Sequence, residues 1–226
     1  MKKYKYQMHT HTSPCSRCAV MKPQELTEAL YKGGYNGCVI TNHFFHGNSG
    51  IDRKLPWDAF IKHYEQDYLE CKKYAEKYDL DIIFGIEEQI YDGLEILCYG
   101  ITPEFLYNNP QLLYNLLEEW HKTAQSYGAL IIQAHPFRDR FYINNPRVFP
   151  IEFIDGIEIY NYGNSAENNI MAENFYSKHN DLIITGGADA HDDSILCVSG
   201  IETCTRIRNE TELVSVLKSG NYAIIK

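Results

Sequence analysis

The sequence predicts an α/β fold in which strands and helices alternate and the strands close, or nearly close, into a barrel. Short apolar runs of strand length are separated by segments with helical periodicity, which is the pattern of repeated parallel βα units. The chain has 226 residues, a length typical of one α/β barrel. We therefore expect a single domain over residues 1–226.

The predicted strands are apolar runs that are too short to be stable helices. Seven of them cover 3–8, 38–41, 81–86, 95–99, 130–134, 156–160 and 182–185, and further β segments are expected at 199–206 and 222–225. Isoleucine, valine and tyrosine are frequent in these runs, and such residues favour strands.

The first predicted helix begins near Pro23. Further helices are predicted over 57–78, 111–127, 165–179 and 211–219, with a short helix or turn at 103–109. Proline suits the first turn of a helix, and Leu26, Ala29 and Leu30 then recur at the spacing of one buried stripe. Gly128 directly follows the helix at 111–127, where glycine commonly ends a helix.

Charge and composition limit the classes of partner. The 21 basic and 30 acidic side chains give a net charge of −9, the wrong sign for a broad nucleic-acid surface. Seven cysteines lack the dense spacing of a secreted disulfide scaffold, and no run approaches the roughly 18 apolar residues of a membrane span. We expect a cytoplasmic protein without a membrane partner, in which an anionic substrate needs local positive charge such as metal ions.

Residues that commonly bind metals follow the ends of five predicted strands. They are His9 and His11, His43, Glu87, His135, and Asp189 with His191. His9 and His11 are two residues apart, so their rings project to the same side of the first strand. The carboxyl ends of the strands of a parallel barrel meet at one face, which therefore is expected to hold a metal cluster.

Taken together, His9-x-His11, His43, Gly-Ile-Glu87, Ala-His135-Pro and Asp189-x-His191 resemble the motifs of the PHP (polymerase and histidinol phosphatase) family. The resemblance runs from about Tyr6 to the end of the sequence, with the motifs in the expected order. It implies a distorted (β/α)7 TIM-like barrel of the PHP type, two or three divalent metal ions, and hydrolysis of phosphoesters.

The resemblance also implies a division of the ligands among the sites. His9, His11, Glu87 and Asp189 would hold one metal, Glu87 and His135 a second, and His43 and His191 would belong to the third site of trinuclear members. Imidazole and carboxylate ligands suit zinc, manganese and iron, and do not select among them. A metal-bound hydroxide would attack phosphorus, and Asp189 or His191 would pass a proton to the leaving group.

The sequence departs from the family pattern at several positions. Gln7 and Asn42 replace aspartates, and Glu95 stands where histidine is frequent but retains an oxygen ligand. Arg17 stands where trinuclear members often have histidine, and arginine cannot bind a cation. We therefore favour two tightly held metals, with Arg17 as a catalytic and substrate-binding clamp for the phosphate; Arg17→Ala is expected to bind metals normally and to lose catalysis.

Three further residues are candidates for substrate binding: His46, Arg138 and Asn161. His46 and Arg138 lie just beyond predicted ligands, and Asn161 follows the sixth strand. Cys15-x-x-Cys18 lies close to the first ligand pair, but no second pair stands at zinc-ribbon spacing. Packing is therefore the preferred role for these cysteines over a metal or redox role.

The favoured function is a phosphomonoesterase for a small metabolite such as a sugar phosphate, a nucleotide or histidinol phosphate. One alternative is a non-catalytic PHP module that binds metal or a partner. Another is an amidohydrolase-like zinc hydrolase, which the absence of a lysine near the end of the fourth strand disfavours. A proofreading exonuclease is disfavoured by the acidic balance.

Overall fold

A computed structural model describes residues 2–226 and shows a mixed α/β fold. Its strands are β1 (Tyr4–Thr10), β2 (Gly37–Ile40), β3 (Asp81–Tyr91), β4 (Leu94–Tyr99), β5 (Leu130–Gln133), β6 (Gly156–Asn161), β7 (Ile183–Gly187), β8 (Gly200–Thr203) and β9 (Tyr222–Ile225). Its helices are α1 (Pro23–Lys32), α2 (Trp57–Tyr64), α3 (Gln66–Ala75), α4 (Pro103–Tyr107), α5 (Leu117–Tyr127), α6 (Ala166–Tyr176) and α7 (Glu210–Ser219). No helix within residues 2–226 is both long and apolar enough to cross a membrane.

The strands form one sheet in the order β7-β6-β5-β4-β3-β2-β1-β8-β9. A bridge between Thr10 and Ala190 joins the end of β1 to the chain just beyond β7, so the sheet nearly closes on itself. The predicted barrel-like α/β fold is thereby confirmed. The seam between β1 and β7 brings the first and the last of the predicted ligand motifs side by side.

The prediction of uniformly parallel βα units was wrong at β4. This strand runs antiparallel to both β3 and β5, because no helix separates it from β3. Only Asp92 and Gly93 connect the two strands, and both have positive φ, at 56° and 78°, as a tight hairpin turn requires. The hairpin brings Glu95, near the start of β4, level with Gln89 on β3.

Two predicted helices are interrupted in the structure. The segment 57–78 divides at Glu65 into α2 and α3 and ends in a 3₁₀ turn. The segment 111–127 begins as a 3₁₀ helix and is broken at Asn115, whose φ is 58°. Asparagine tolerates this left-handed conformation, and the Asn115 side-chain amide donates to the carbonyl oxygens of Gln89 and Ile90. The break therefore attaches this connection to the end of β3.

Apolar layers cover both faces of the sheet. Ile82 and Phe84 lie in one core cluster and Ile83 in the other, because successive side chains of a strand face opposite ways. The second cluster includes the buried residues of α7. In the first cluster Phe44 packs edge-on against Trp57 and Tyr64, at 5.8 and 5.0 Å between ring centroids. This packing anchors the chain directly after His43.

Candidate metal centre

The structure brings all eight predicted metal ligands together at one end of the sheet. They are His9, His11, His43, Glu87, Glu95, His135, Asp189 and His191. All but His191 are buried. Glu95 reaches this end because the antiparallel β4 starts where β3 finishes. Seven of them form three overlapping groups in which potential ligand atoms lie within 4.8 Å of one another. His135 adjoins these groups through Glu87, and we call the whole set the ligand cluster.

Glu87 is at the centre of the ligand cluster. Its Oε1 lies 3.0 Å from His9 Nε2 and 3.1 Å from His135 Nε2. Its Oε2 lies 2.8 Å from His43 Nδ1 and 3.4 Å from His11 Nε2. The two oxygens thus reach different pairs of imidazoles, an arrangement that suits a carboxylate shared by two cations.

Hydrogen bonds at the outer nitrogens fix the orientation of His9 and His11. His9 Nδ1 lies 3.2 Å from Glu158 Oε1, and a carboxylate oxygen can only accept. His11 Nδ1 lies 3.1 Å from Ser16 Oγ, whose own hydrogen is donated to Asn42. Both rings therefore carry a hydrogen on Nδ1, and in its neutral form each ring presents the lone pair of Nε2 to the cluster.

Several atoms of the cluster are buried without a hydrogen-bond partner among residues 2–226: His9 Nε2, His11 Nε2, His43 Nδ1, Glu87 Oε2 and Asp189 Oδ1. An unpaired buried polar atom costs about 1–3 kcal/mol. Lone pairs of neutral imidazoles and carboxylate oxygens also repel one another at these distances unless positive charge lies between them. The arrangement of these atoms fits divalent cations, because nitrogen and oxygen donors converge on shared points.

The charges within the cluster oppose the effect of burial. Burial alone would raise the pKa of Glu87, but His9 and His43 hold that pKa well below its usual range. Asp189 behaves in the same way, with His9 and Arg138 as the positive neighbours. For Glu95, burial and the charge of Glu87 outweigh the opposing effect of His43 and Arg138 and raise its pKa to about 8. A cation bound nearby favours the charged form of all three carboxylates.

The backbone is strained at two of the predicted ligands. His135 has a φ of 28° and Asp189 a φ of 54°, in the left-handed region that is uncommon for residues other than glycine. Such strain of about 1–3 kcal/mol persists only where the surrounding structure imposes it, and it is concentrated at functional sites. His135 N donates to Glu158 Oε2 at 3.0 Å, which helps to hold this conformation.

Glu158 is a site residue that the sequence analysis missed. It lies in the middle of β6, is 1% exposed, and accepts hydrogen bonds from His9 Nδ1, His135 N and Asn161 Nδ2. A glutamate between two isoleucines of a buried strand is the signal that could have revealed it. Glu158 orients His9 in the way that a carboxylate orients a metal-bound histidine.

Gln7 does not contact the ring of either histidine. Its Oε1 accepts from the backbone N–H of His9 and of Ala188, at 3.2 and 3.0 Å, and its Nε2 donates to the Leu196 and Ser199 carbonyls. The amide at this position therefore links β1 to the chain after β7. The side chain that hydrogen-bonds to the His9 ring is Glu158 and not Gln7.

The predicted substrate residues occupy different environments around a cavity of about 380 Å³ beside the cluster. Arg138 lines the cavity and is 6% exposed. Asn161 is buried, where it accepts from Arg138 and donates to Glu158. His46 is paired with the buried Glu88, to which its backbone N–H donates at 2.8 Å. Arg17 is exposed and lies outside the lining that the described residues form, so its clamping role stays a prediction.

Cys18 lines the cavity in the place expected for Arg17. Its Sγ lies 3.1 Å from His191 Nε2. Burial alone would raise the pKa of the Cys18 thiol, but hydrogen bonds to His191 and His43 lower it to about 6. Cys15 is fully buried in the core, so the two cysteines of this motif have different surroundings.

No family model matches the chain. The PolC-type DNA polymerase III of Oceanobacillus iheyensis is 22% identical over 143 residues, which make up 62% of this chain and 9% of that protein. The chain thus spans about a tenth of the length of the curated relative it matches.

Solved structures of similar fold cover almost the whole chain. A two-domain protein of Bacteroides vulgatus containing a predicted PHP-like metal-dependent phosphoesterase matches 99% of this chain and 64% of its own, with a TM-score of 0.67 and 16% identity. The lesion-specific endonuclease EndoQ of Pyrococcus furiosus matches 99% of this chain and 58% of its own, with a TM-score of 0.66 and 15% identity. An amidohydrolase of Chromobacterium violaceum with bound sulfate matches 94% of this chain and 96% of its own, with a TM-score of 0.62 and 11% identity.

The sheet and these likenesses define the fold of the molecule. The chain has the fold of the PHP-like metal-dependent phosphoesterases. The resemblance seen in the sequence motifs is thereby confirmed at the level of the fold.

Proposed function

We propose that the chain is a metal-dependent phosphoesterase that hydrolyses a phosphomonoester of a small metabolite. Sugar phosphates, nucleotides and histidinol phosphate are the candidate substrates. The observation that carries the proposal is the convergence of buried imidazole and carboxylate atoms that have no hydrogen-bond partner within residues 2–226, beside a cavity of about 380 Å³. Divalent cations at such a site would supply an activated water and positive charge for the phosphate oxygens.

The ligand cluster offers donors for two or three cations. His9, His11, Glu87 and Asp189 would hold one. A second would lie between Glu87, His135 and the further donor Glu95, whose Oε2 lies 3.5 Å from His135 Nε2. His43 and His191 would belong to a third. Zinc, manganese and iron all suit these donors.

Arg138 is the best-placed residue to bind the substrate phosphate. Its Nη1 donates to Asp189 Oδ2 at 2.5 Å, its Nη2 to Asn161 at 2.8 Å and its Nε to Asn164 at 2.9 Å. A guanidinium has five N–H groups, so two remain, one on each Nη atom. These two groups are available to phosphate oxygens in the cavity that Arg138 lines.

Proton transfer to the leaving group is not assigned to Asp189 by this geometry. One of its oxygens accepts from Arg138, and the other lies 3.0 Å from His11 Nε2. Because His9 and Arg138 hold its pKa well below the usual range against the effect of burial, Asp189 carries no proton near neutral pH. We propose Asp189 as a metal ligand, and His191 remains the other candidate for the proton.

A phosphodiester in a nucleic acid is the second candidate substrate. Phe141 is 99% exposed, and the adjoining Tyr142 lines the cavity. Exposed aromatic rings beside a catalytic cavity can stack on bases. The net charge of −9 argues against an extended contact with the strand, so this alternative involves few nucleotides.

The proposal is tested by loading metal-free protein with Mn²⁺, Fe²⁺ or Zn²⁺ and offering three groups of substrates. They are phosphomonoesters of the classes above, phosphodiesters including duplex DNA with an abasic site, and simple amides. We expect metal-dependent release of inorganic phosphate from a monoester, which Glu87→Gln abolishes and the exposed control Glu118→Gln retains.

The other outcomes separate the alternatives. DNA cleavage without phosphate release would replace the first candidate by the second, and amide cleavage would favour the amidohydrolase-like reading. Metal binding without turnover of any substrate would overturn the proposal in favour of a binding module. Arg138→Lys, compared with the exposed Arg140→Lys, is expected to raise the KM for the monoester because a lysine cannot reproduce the planar fork of donors.

A further inference from the structure

Cys18 lies beside two histidines that the first two cation sites do not fully use. We propose that the Cys18 thiolate is a further ligand of the third cation site, to which the family resemblance assigns His43 and His191, at the outer edge of the ligand cluster. The inference rests on the proposed metal centre, but it does not depend on which ester is hydrolysed. No residue pattern in the sequence assigned this role to cysteine.

The first observation is the geometry at His191. Its Nδ1 lies 2.8 Å from the carbonyl oxygen of Asp189, and a carbonyl oxygen can only accept a hydrogen bond. The ring hydrogen is therefore on Nδ1, and the neutral ring turns the lone pair of Nε2 towards Cys18 Sγ, 3.1 Å away. The thiol can donate a hydrogen bond to this lone pair, and once its proton is lost the sulfur and the nitrogen would be two neighbouring donors to one cation.

The second observation is independent of the cysteine. One ring nitrogen from each of His11, His43 and His191 lies within 4.8 Å of the other two. His11 Nε2 and His43 Nδ1 are buried and have no hydrogen-bond partner in the described part of the chain. Three imidazoles converge on the region that Cys18 borders, and a cation there would stabilise their lone pairs.

The loop after β1 is held so that Cys18, and not Arg17, faces this region. Ser16 Oγ accepts the N–H of His43 at 3.0 Å, and Arg17 N donates to Asn48 O at 2.9 Å. These bonds hold the Ser16 side chain and the backbone of Arg17, directly before Cys18. The Arg17 side chain consequently lies in solvent, and Cys18 borders the cavity.

A thiolate changes the preference of the site among metals. Sulfur is a soft ligand that favours zinc and iron over manganese and magnesium, which prefer oxygen. Cation binding by Cys18 displaces the thiol proton to solvent, so the sulfur enters the site as the thiolate. The proposed outer site should therefore retain Zn²⁺ when a weak chelator has removed Mn²⁺.

Cobalt provides a test that does not use activity. Metal-free protein is titrated with Co²⁺, and thiolate-to-cobalt charge-transfer absorption is followed in the near ultraviolet. We expect this absorption in the unaltered protein and in the control Cys204→Ser, whose cysteine is also exposed. Cys18→Ser should lose the absorption and bind one fewer equivalent of metal, whereas Cys18→His should keep the stoichiometry and lose the absorption.

Alkylation by iodoacetamide, read by mass spectrometry, separates a ligand from a nucleophile. A ligand thiolate is protected when metal is bound, and Cys204 is labelled in both states. Equal labelling of Cys18 with and without metal, or charge-transfer absorption that persists in Cys18→Ser, would overturn the inference. Because both readouts are independent of turnover, a protein that binds cobalt through Cys18 but releases no phosphate refutes only the proposed function.

Discussion

Replacing Glu158 by glutamine is the most direct test of how the ligand cluster is held together. Glu158 accepts hydrogen bonds from His9 Nδ1 at 3.2 Å, from His135 N at 3.0 Å and from Asn161 Nδ2 at 2.8 Å. Glutamine has the same shape, but one of its two terminal atoms is a donor. Whichever way the amide turns, a donor faces a donor at His9 or at the His135 and Asn161 pair.

The expected loss follows from these three contacts. At least one bond to a residue of the cluster is broken, and His9 loses the acceptor that keeps its hydrogen on Nδ1. Changes of this kind lower metal affinity about 10- to 100-fold, which corresponds to about 1.4–2.8 kcal/mol. We therefore expect the first dissociation constant for Zn²⁺ or Mn²⁺ to rise by this factor in Glu158→Gln.

The assay is competition between metal-free protein and a chromophoric chelator of known affinity. Glu152→Gln is the matched control, because Glu152 is exposed and lies just before β6. Unfolding curves of both metal-free variants establish that the proteins are folded. A dissociation constant in Glu158→Gln within twofold of the unaltered value would refute the orienting role, even if turnover fell.

Three further substitutions test the surroundings of the site. In Gly187→Ala the new Cβ would lie 2.6 Å from Glu158 Oε1 and 2.6 Å from His9 Cβ. Metal affinity should therefore fall in the chelator assay, and the free energy of unfolding should fall by about 1–3 kcal/mol; unchanged values would show that Glu158 and His9 can shift freely. Phe44→Ala removes a buried ring and should cost about 3–5 kcal/mol in urea unfolding, and a cost below 1 kcal/mol would contradict its anchoring role. Arg206→Ala breaks hydrogen bonds to Asp81 and should cost about 1–3 kcal/mol without altering metal affinity; an altered affinity would link this distant ion pair to the site.

Most strands were predicted from the sequence because a buried strand appears there as a short apolar run. Strands β1 to β9 occur along the chain in the order of those runs. The direction of β4 was not recognised, although Asp92 and Gly93 are a typical hairpin turn. The apolar pattern is the same in a parallel and an antiparallel strand, so periodicity cannot distinguish them. The breaks at Glu65 and Asn115 depend on packing against other elements, which local periodicity does not contain.

Most members of the ligand cluster were predictable because they follow the ends of the predicted strands and resemble the PHP motifs. Glu158 was missed because it lies in the middle of a predicted strand, whereas most of the ligands were predicted from their positions at the ends of predicted strands. Arg17 and Cys18 are adjacent in the sequence, and the hydrogen bonds of Ser16 and of the Arg17 backbone hold the loop so that Cys18 faces the cavity. The contacts of Arg138 could not be read either, since its partners Asn161 and Asn164 lie on another loop.

The position of the ligands at the seam between β1 and the chain after β7 also affects the motions of the barrel. Between β1 and the end of β7, His11 N donates to Ala190 O at 2.9 Å and Ala190 N to His9 O at 3.1 Å. Local opening here would break these bonds and separate His9 and His11 from Asp189. A cation bound by residues on both sides of the seam would stabilise the closed form by about 2.7 kcal/mol when its free concentration is a hundredfold above its dissociation constant. The supply of metal in the surroundings would thus set how often the barrel opens, and amide hydrogens along this seam would exchange more slowly as the metal concentration rises.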